Sequence, residues 1–294
     1  MLNLAAFNYR RALAESGGPI AKIVSAPVSI YGHSLYQADA FLTPDLSPHK
    51  PELEKCAQAD GTGSNESPSI ARHMAVSEAI ERWAFHSEYA GPHAQRYGFE
   101  HDCSPNGMAA YPGLFKIQAR SRARLEALGL LALVAWWDGR IAASPTASSL
   151  DGINILRLHH PCDFGEVVIG YRKSRSGHVG YGYAAGDSLA NATARAIVQL
   201  ARNELVITCY KICSRTKPIG NYLERRCLYF ATPEGHQEFL ARLATAPNKT
   251  APIWDPFYDG EIIGPWSRYA TVWRTALRMP THDFLDPRLD FFYW

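Results

Sequence analysis

Apolar positions between Pro68 and Trp83 recur at a helical spacing, with Ala71, Ala75 and Ala79 in one line joined by Met74, Ile80 and Trp83. Before them lie Gly61-Thr62-Gly63, read as a glycine turn, and the polar stretch Ser64-Asn65-Glu66-Ser67-Pro68. Ser67 is suited to cap a helix whose first position is Pro68, so a helix is expected from Pro68 onward. On that helix Glu78 and Glu81 stand three apart and Arg82 lies four beyond Glu78, which puts two carboxylates and a guanidinium on one side.

The rest of the chain alternates between the two periods. Residues 1–16 read as a short helix ended by Gly17-Gly18-Pro19, and Ile20 to Ile30 as a first strand in which Pro27 marks an edge or a break. Prolines and histidines between Tyr31 and Pro51 predict loop. Ala84 to Ala90 extends the central helix until Gly91-Pro92 breaks it, and a loop with His93, His101, Asp102 and Cys103 follows, whose spacing matches no metal-ligand pattern. Phe115 to Leu128 reads as a basic amphipathic helix ended by Gly129. Leu130 to Trp137 reads as buried strand, as do Ile153 to His159 and Glu166 to Tyr171, with loop from Ala142 to Leu150. A glycine-rich run from Gly180 to Ser188 then leads into a helix from Leu189 to Leu205. Strands are expected at Thr208 to Ile212, Leu228 to Ala231, Glu261 to Ile263 and Ala270 to Leu277, and a helix capped by Thr232 from Pro233 to Ala244.

The two glycine-plus-helix stretches can be laid on each other without a gap. Gly61 falls on Gly182, Ser67 on Ser188, Ala71 on Ala192, Ala75 on Ala196 and Glu78 on Gln199, while Gly63 falls on Ala184. Two related halves are the expectation.

Composition narrows the function classes. At 294 residues, 47% hydrophobic and 20% charged, the chain is ordinary folding material with room for one large domain. A net charge of +2 leaves a nucleic-acid role to local patches such as Arg120-Ser121-Arg122 with Arg124, or Arg172-Lys173-Ser174-Arg175, which read as solvated faces. No nucleic-acid partner is expected. Six scattered cysteines form no CxxC pair and signal neither a disulfide framework nor a zinc module. With no run long and apolar enough to span a bilayer and no secretory signal pattern, no membrane association and a cytoplasmic location are expected.

The stretch Glu78-Ala79-Ile80-Glu81-Arg82 behind a glycine pair resembles the first signature of the YcaO family, and Gly180-Tyr181-Gly182-Tyr183-Ala184-Ala185-Gly186-Asp187-Ser188 resembles its second. Tyr269 to Arg274, leading to Arg278-Met279-Pro280, resembles a core strand of the family. The resemblance implies an enzyme that uses ATP and magnesium to activate a backbone amide oxygen of a peptide, with helix glutamates holding metal and nucleotide between pseudo-symmetric halves. Carried onto this chain, the cofactor-binding residues are Glu78, Glu81, Arg82, Gln199 and Asn203, and the metal ligands are Glu78 and Glu81. No catalytic residue is assigned.

This chain departs from the pattern at particular positions. Thr62 stands where the first signature has lysine, Met74 where it has serine, and Gln199, Arg202 and Asn203 where the second helix has acidic or polar residues. Glu204 offers a carboxylate only if the helix register shifts. The chain ends in Phe291-Phe292-Tyr293-Trp294, unlike the proline-rich tail of azoline-forming members.

The expectation is therefore an α+β, single YcaO-like domain over 1–294, with mixed sheets and packed helices in two pseudo-symmetric halves (1–57 lead-in, 58–150 first half, 151–294 second half). Its expected function is ATP- and magnesium-dependent modification of a ribosomally made peptide, of cyclodehydratase or thioamidation type, with a peptide substrate and a partner protein of a modification complex. The competing expectation is a YcaO-like subunit without ATP chemistry that binds peptide or assists assembly.

Overall fold

Small residues decide where helix and sheet meet in this protein. The structure, a computed structural model, describes residues 5–47, 59–112, 115–148, 150–174, 177–213 and 221–294. Its chain divides into two compact units, Met1–Ala127 with Pro256–Arg278, and Leu128–Asp255 with Met279–Trp294. The late segment 256–278, which the sequence placed in the second half, thus belongs with the first unit.

In the first unit, helix α1 (Ala5–Ala12) precedes strands β1 (Ile20–Ile30), β2 (His33–Leu42) and β3 (Gly61–Asn65), which form one antiparallel sheet in the order β1-β2-β3. Pro27 sits on β1, the edge strand, where a missing N–H costs no ladder bond to a further neighbour. The expected loop over 31–51 is corrected to a strand over its first part. Tyr31 and Gly32 both take positive φ, 48° and 87°, and turn the chain in two residues, and Ala38, Ala40 and Leu42 then alternate inward. Two of those three are alanines, which carry little hydrophobic signal. Residues 48–51 lie outside the described residues. Helix α2 (Pro68–Glu88) packs on this sheet, with Ser67 Oγ accepting from the Ile70 N–H at 3.5 Å. A second antiparallel sheet, in the order β4-β10-β9, joins β4 (Met108–Tyr111), β9 (Pro256–Ile262) and β10 (Thr271–Leu277).

Helix α3 (Lys116–Trp137) overturns the break expected at Gly129 and the strand expected at Leu130 to Trp137. Every residue from Ala127 to Trp136 except Gly129 appears among the buried apolar side chains, so the run is a helix covered on all sides. Such a run has no period to reveal it. Gly129 lies in the helix interior, where an added Cβ would stand 3.5 Å from Ala185 Cβ, an ordinary contact.

The second unit holds one antiparallel sheet in sequence order, β5 (Ala143–Thr146), β6 (Asn154–Leu158), β7 (Glu166–Lys173) and β8 (Val179–Gly186). The strand β5 replaces part of the loop expected over 142–150. Helix α4 (Leu189–Cys213) packs on β8 and β7, followed by α5 (Tyr222–Phe230) and α6 (Pro233–Ala244). Two expected strands are therefore helix, Thr208 to Ile212 as the end of α4 and Leu228 to Ala231 at the end of α5. Short, largely apolar runs fit either period, and capping by the Asn221 side chain onto the Leu223 N–H starts α5. All named strands pair antiparallel, so the mixture in the fold is of helix with sheet rather than of strand directions.

The glycines read as turns lie instead in strands, and the close approach of a helix backbone explains them. A Cβ at Gly61 would stand 2.2 Å from the Ala75 carbonyl oxygen and 2.3 Å from the Ala79 nitrogen. One at Gly182 would stand 2.3 Å from the Ala196 carbonyl oxygen and 2.2 Å from the Leu200 nitrogen. These are the same partners in the gapless overlay. Ser188 Oγ likewise accepts from the Asn191 N–H at 3.3 Å, as Ser67 does from Ile70. Replacing Gly61 or Gly182 by alanine is expected to cost each unit about 1–3 kcal/mol by forcing helix from sheet, whereas Gly129→Ala should be neutral or stabilising by up to about 1 kcal/mol. Denaturant unfolding of the three variants checks this, and a tolerated Gly61→Ala would mean that α2 does not lie against β3.

Candidate functional site

The α2 cluster begins with Thr62, the residue that stood out as a departure. Its N–H and its Oγ1 both donate to Glu78 Oε2, at 3.0 and 3.1 Å. Packing of β3 against α2 through Gly61 and Gly63 brings them within reach. Glu78 Oε1 meets Arg82 Nη2 at 3.6 Å, one turn along the helix, with the two side chains 32% and 43% exposed. A pair so exposed contributes about 0–1 kcal/mol. Its importance is placement rather than stability.

Glu81 is half-buried on the same helix. Burial, and then the neighbouring Glu78 carboxylate, push its carboxyl well above the ordinary value of 4.5. Arg82 opposes that rise, Glu126 of α3 adds to it, and Arg122 opposes it. Arg122 Nη2 itself pairs with Glu126 Oε1 at 3.1 Å. Neither Glu78 nor Glu81 is a fully solvated side chain, and each has basic or polar groups about it.

The α4 residues are arranged differently. Gln199 is exposed. Asn203 is 9% exposed; its Oδ1 accepts from the Tyr181 N–H at 3.0 Å and its Nδ2 lies 3.0 Å from Cys227 Sγ. It ties β8, α4 and α5 together, and burial pushes the Cys227 thiol up to about 12. Glu204 is held in a two-pronged pair with Arg172, at 2.8 and 2.6 Å. The register therefore gives that carboxylate to an arginine of β7. Arg202 is half-buried.

These donor sets can be judged against magnesium and ATP. Magnesium is a hard cation that takes oxygen ligands, chiefly carboxylates and phosphates. The α2 set suits it, with two carboxylates and, for phosphate charge, a guanidinium. The α4 set brings an exposed amide and no carboxylate apart from one in an ion pair. Among the described residues no three His, Cys, Asp or Glu side chains are grouped to hold a metal ion. The residues fit such a group on the α2 side alone.

Other positions resolve more simply. Asp102 is 3% exposed and accepts from the Ser104 N–H, and its carbonyl, with those of Tyr97 and Ser104, receives the buried Arg274 guanidinium at 2.5–3.0 Å. That loop is thus a structural cradle. From its sequence context Arg274 is legible only as part of a strand, and nothing in the local pattern marks it as buried. Arg120 pairs with Asp259 at 2.7 Å, which removes one charge from the basic patch of α3. No helix among the described residues is long and apolar enough to cross a membrane.

No family model and no curated protein matches the chain by sequence. Solved structures do match by fold. YcaO from Methanopyrus kandleri, bound with AMPPCP and Mg2+, superposes with a TM-score of 0.57 at 12% identity, over 96% of this chain and 91% of that one. The fold is YcaO-like. A chain of the E. coli microcin synthetase McbBCD complex with pro-MccB17 bound gives a TM-score of 0.57 at 12% identity, over 89% of this chain and 88% of that one. The McbBCD complex in a second structure gives 0.55 at 13% identity, over the same shares. The two signature stretches therefore fall in a YcaO-like fold as β3–α2 and β8–α4, the two strand–helix pairs whose internal contacts correspond.

The raised pKa of Glu81 has a definite sign. The folded protein holds that proton more tightly than the unfolded chain, so the group stabilises most below pH 4.5 and its contribution is lost as pH rises toward the folded value. Glu81→Gln, which cannot ionise, is expected to match the wild type near pH 4 and to melt several degrees higher at pH 7.5 in the presence of EDTA. Differential scanning calorimetry at both pH values checks this, and an advantage that grows on acidification would overturn it.

Proposed function

We propose that this YcaO-like chain acts, as a single domain, in the ATP- and magnesium-dependent modification of a ribosomally made peptide, by activating a backbone amide oxygen. The observation that carries the reading is the clustering of charge on α2, where Glu78 pairs with Arg82, Thr62 fixes one oxygen of Glu78, and Glu81 lies close enough to feel the charges of both Glu78 and Arg82. It is supported by the fold shared with a YcaO bound to AMPPCP and Mg2+ and with a synthetase bound to pro-MccB17. In this reading Glu78 and Glu81 hold the metal and Arg82 balances phosphate charge. Gln199 offers a carbonyl oxygen, and Asn203 acts through the backbone of β8. Magnesium–ATP supplies the phosphoryl group, and the chain supplies orientation and charge. The product type, azoline or thioamide, follows from groups outside this cluster.

One observation favours a second reading, a subunit that binds peptide or assists assembly without ATP chemistry. At the α4 positions equivalent to Glu78 and Glu81 the chain has no carboxylate, because they hold Gln199 and Arg202, and the nearby Glu204 is bound to Arg172. Calorimetric titration of ATP with magnesium into the wild type, Glu78→Gln and Gln199→Glu separates the two. The enzyme reading expects weak binding in the wild type, a loss of at least about ten-fold in Glu78→Gln and a gain of similar size in Gln199→Glu. No binding to the wild type supports the scaffold reading. Equal binding by wild type and Glu78→Gln would remove Glu78 from the site.

A further inference from the structure

A cleft of about 390 Å³ opens in the first unit between α1, β1 and the first turns of α2. Its walls are of two kinds. Arg10 of α1 and Arg72 of α2, both exposed, supply positive charge, and the start of α2 at Pro68 and Ser69 adds the positive end of a helix dipole. Neither arginine has an ion-pair partner among the described residues, and no carboxylate among them lines the cleft. The other wall is apolar, formed by Leu13, Ile23 and Val76. Tyr9 closes one side. Its hydroxyl hydrogen-bonds Ser77, and its ring lies 4.7 Å from that of His73. Burial and the adjacent Arg72 hold the His73 pKa below its usual value, so at neutral pH the charge comes from the two arginines.

We infer that this cleft is a docking site for a peptide segment that alternates acidic and apolar side chains. The carboxylates meet Arg10 and Arg72, and the apolar side chains lie on Leu13, Ile23 and Val76. Charge complementarity selects this occupant. Two guanidiniums without protein carboxylates beside an apolar wall match a segment that brings both groups, and an arginine fork binds carboxylate in two-pronged geometry. The inference draws on the peptide-modification reading for the presence of a peptide and on nothing in the nucleotide cluster. Its test contains no ATP, so its failure is distinct from a failure of that reading.

The test is fluorescence anisotropy of the full chain with a fluorescein-labelled heptapeptide of alternating glutamate and leucine. Two control peptides replace glutamate by glutamine or leucine by serine. The glutamate–leucine peptide is expected to bind at low salt and to weaken as salt rises, and each control should bind about ten-fold more weakly. Arg10→Ala with Arg72→Ala should lose at least about ten-fold, whereas Arg268→Ala, an exposed arginine outside the cleft, should leave binding unchanged; circular dichroism confirms that each variant is folded. Any of four results overturns the inference: no binding of the first peptide at low salt, equal binding of either control peptide, an equal loss in Arg268→Ala, or displacement by millimolar inorganic phosphate, which would make the cleft a simple anion site.

Discussion

The approach of helix backbone to strand backbone, without a Cβ between them, is the constraint on which the rest of the structure depends. At Gly61 and Gly63 the sheet lies on α2 so closely that a methyl group would fall within 2.2 Å of a backbone oxygen. Ala71, Ala75 and Ala79, all fully buried, complete that surface from the helix side. The closeness has a chemical consequence. It brings the N–H and hydroxyl of Thr62, the residue between the two glycines, onto Glu78. A helix held one side chain further away would leave that carboxylate to solvent. In the second unit the same approach at Gly182 lets the Tyr181 N–H reach Asn203. Packing and polar placement are therefore one feature, repeated in each unit.

Each unit also uses one buried arginine to gather loop carbonyls. Arg274 donates to three carbonyls between Tyr97 and Ser104, with the Phe99 ring 3.9 Å from its guanidinium carbon. Arg226, 1% exposed, donates to the carbonyls of Phe284, Asp286 and Leu289. A guanidinium has five donors in a fixed plane and suits several acceptors that arrive from an irregular segment. Removing either would leave buried carbonyls unpaired, at about 1–3 kcal/mol for each. The C-terminal aromatics are fixed by a different force. Phe292 packs among Trp136, Trp137, Phe230 and Phe239 at ring separations of 5.0–5.7 Å, which covers the second unit's sheet and helices with apolar surface.

What the sequence made legible follows from which forces are local. Caps are local, and Ser67, Thr232 and the ends of α2 and α6 read correctly. The internal repeat was legible because Gly61 and Gly182 meet equivalent backbone atoms, so selection of residue type acts at the same offsets. The conformation of those glycines was not legible, since a glycine demanded by a neighbour's closeness looks the same as one demanded by a turn. The second part of α3 was missed because a helix buried on every side has no polar face to set its period. The role of Thr62 was missed for a related reason: a threonine that holds Glu78 across two elements carries no signal in its own neighbourhood. Arg274 and Asn203 belong to the same class of long-range polar contact.

The likeness of the two strand–helix pairs sharpens their difference in charge. Backbone contacts agree at matching positions, yet α2 presents Glu78, Glu81 and Arg82 where α4 presents Gln199, Arg202 and Asn203. Packing alone cannot account for this, since glutamate and glutamine have nearly the same volume and Gln199 is exposed. Nor does stability favour the α2 arrangement, in which burial and Glu78 raise the pKa of Glu81 and an exposed pair returns little. Two carboxylates near each other at some cost, on a helix whose counterpart α4 has neither, concentrate negative charge on one side only. A cation bound there would relieve the repulsion that raises Glu81, and it would convert the cost of the bare cluster into binding free energy.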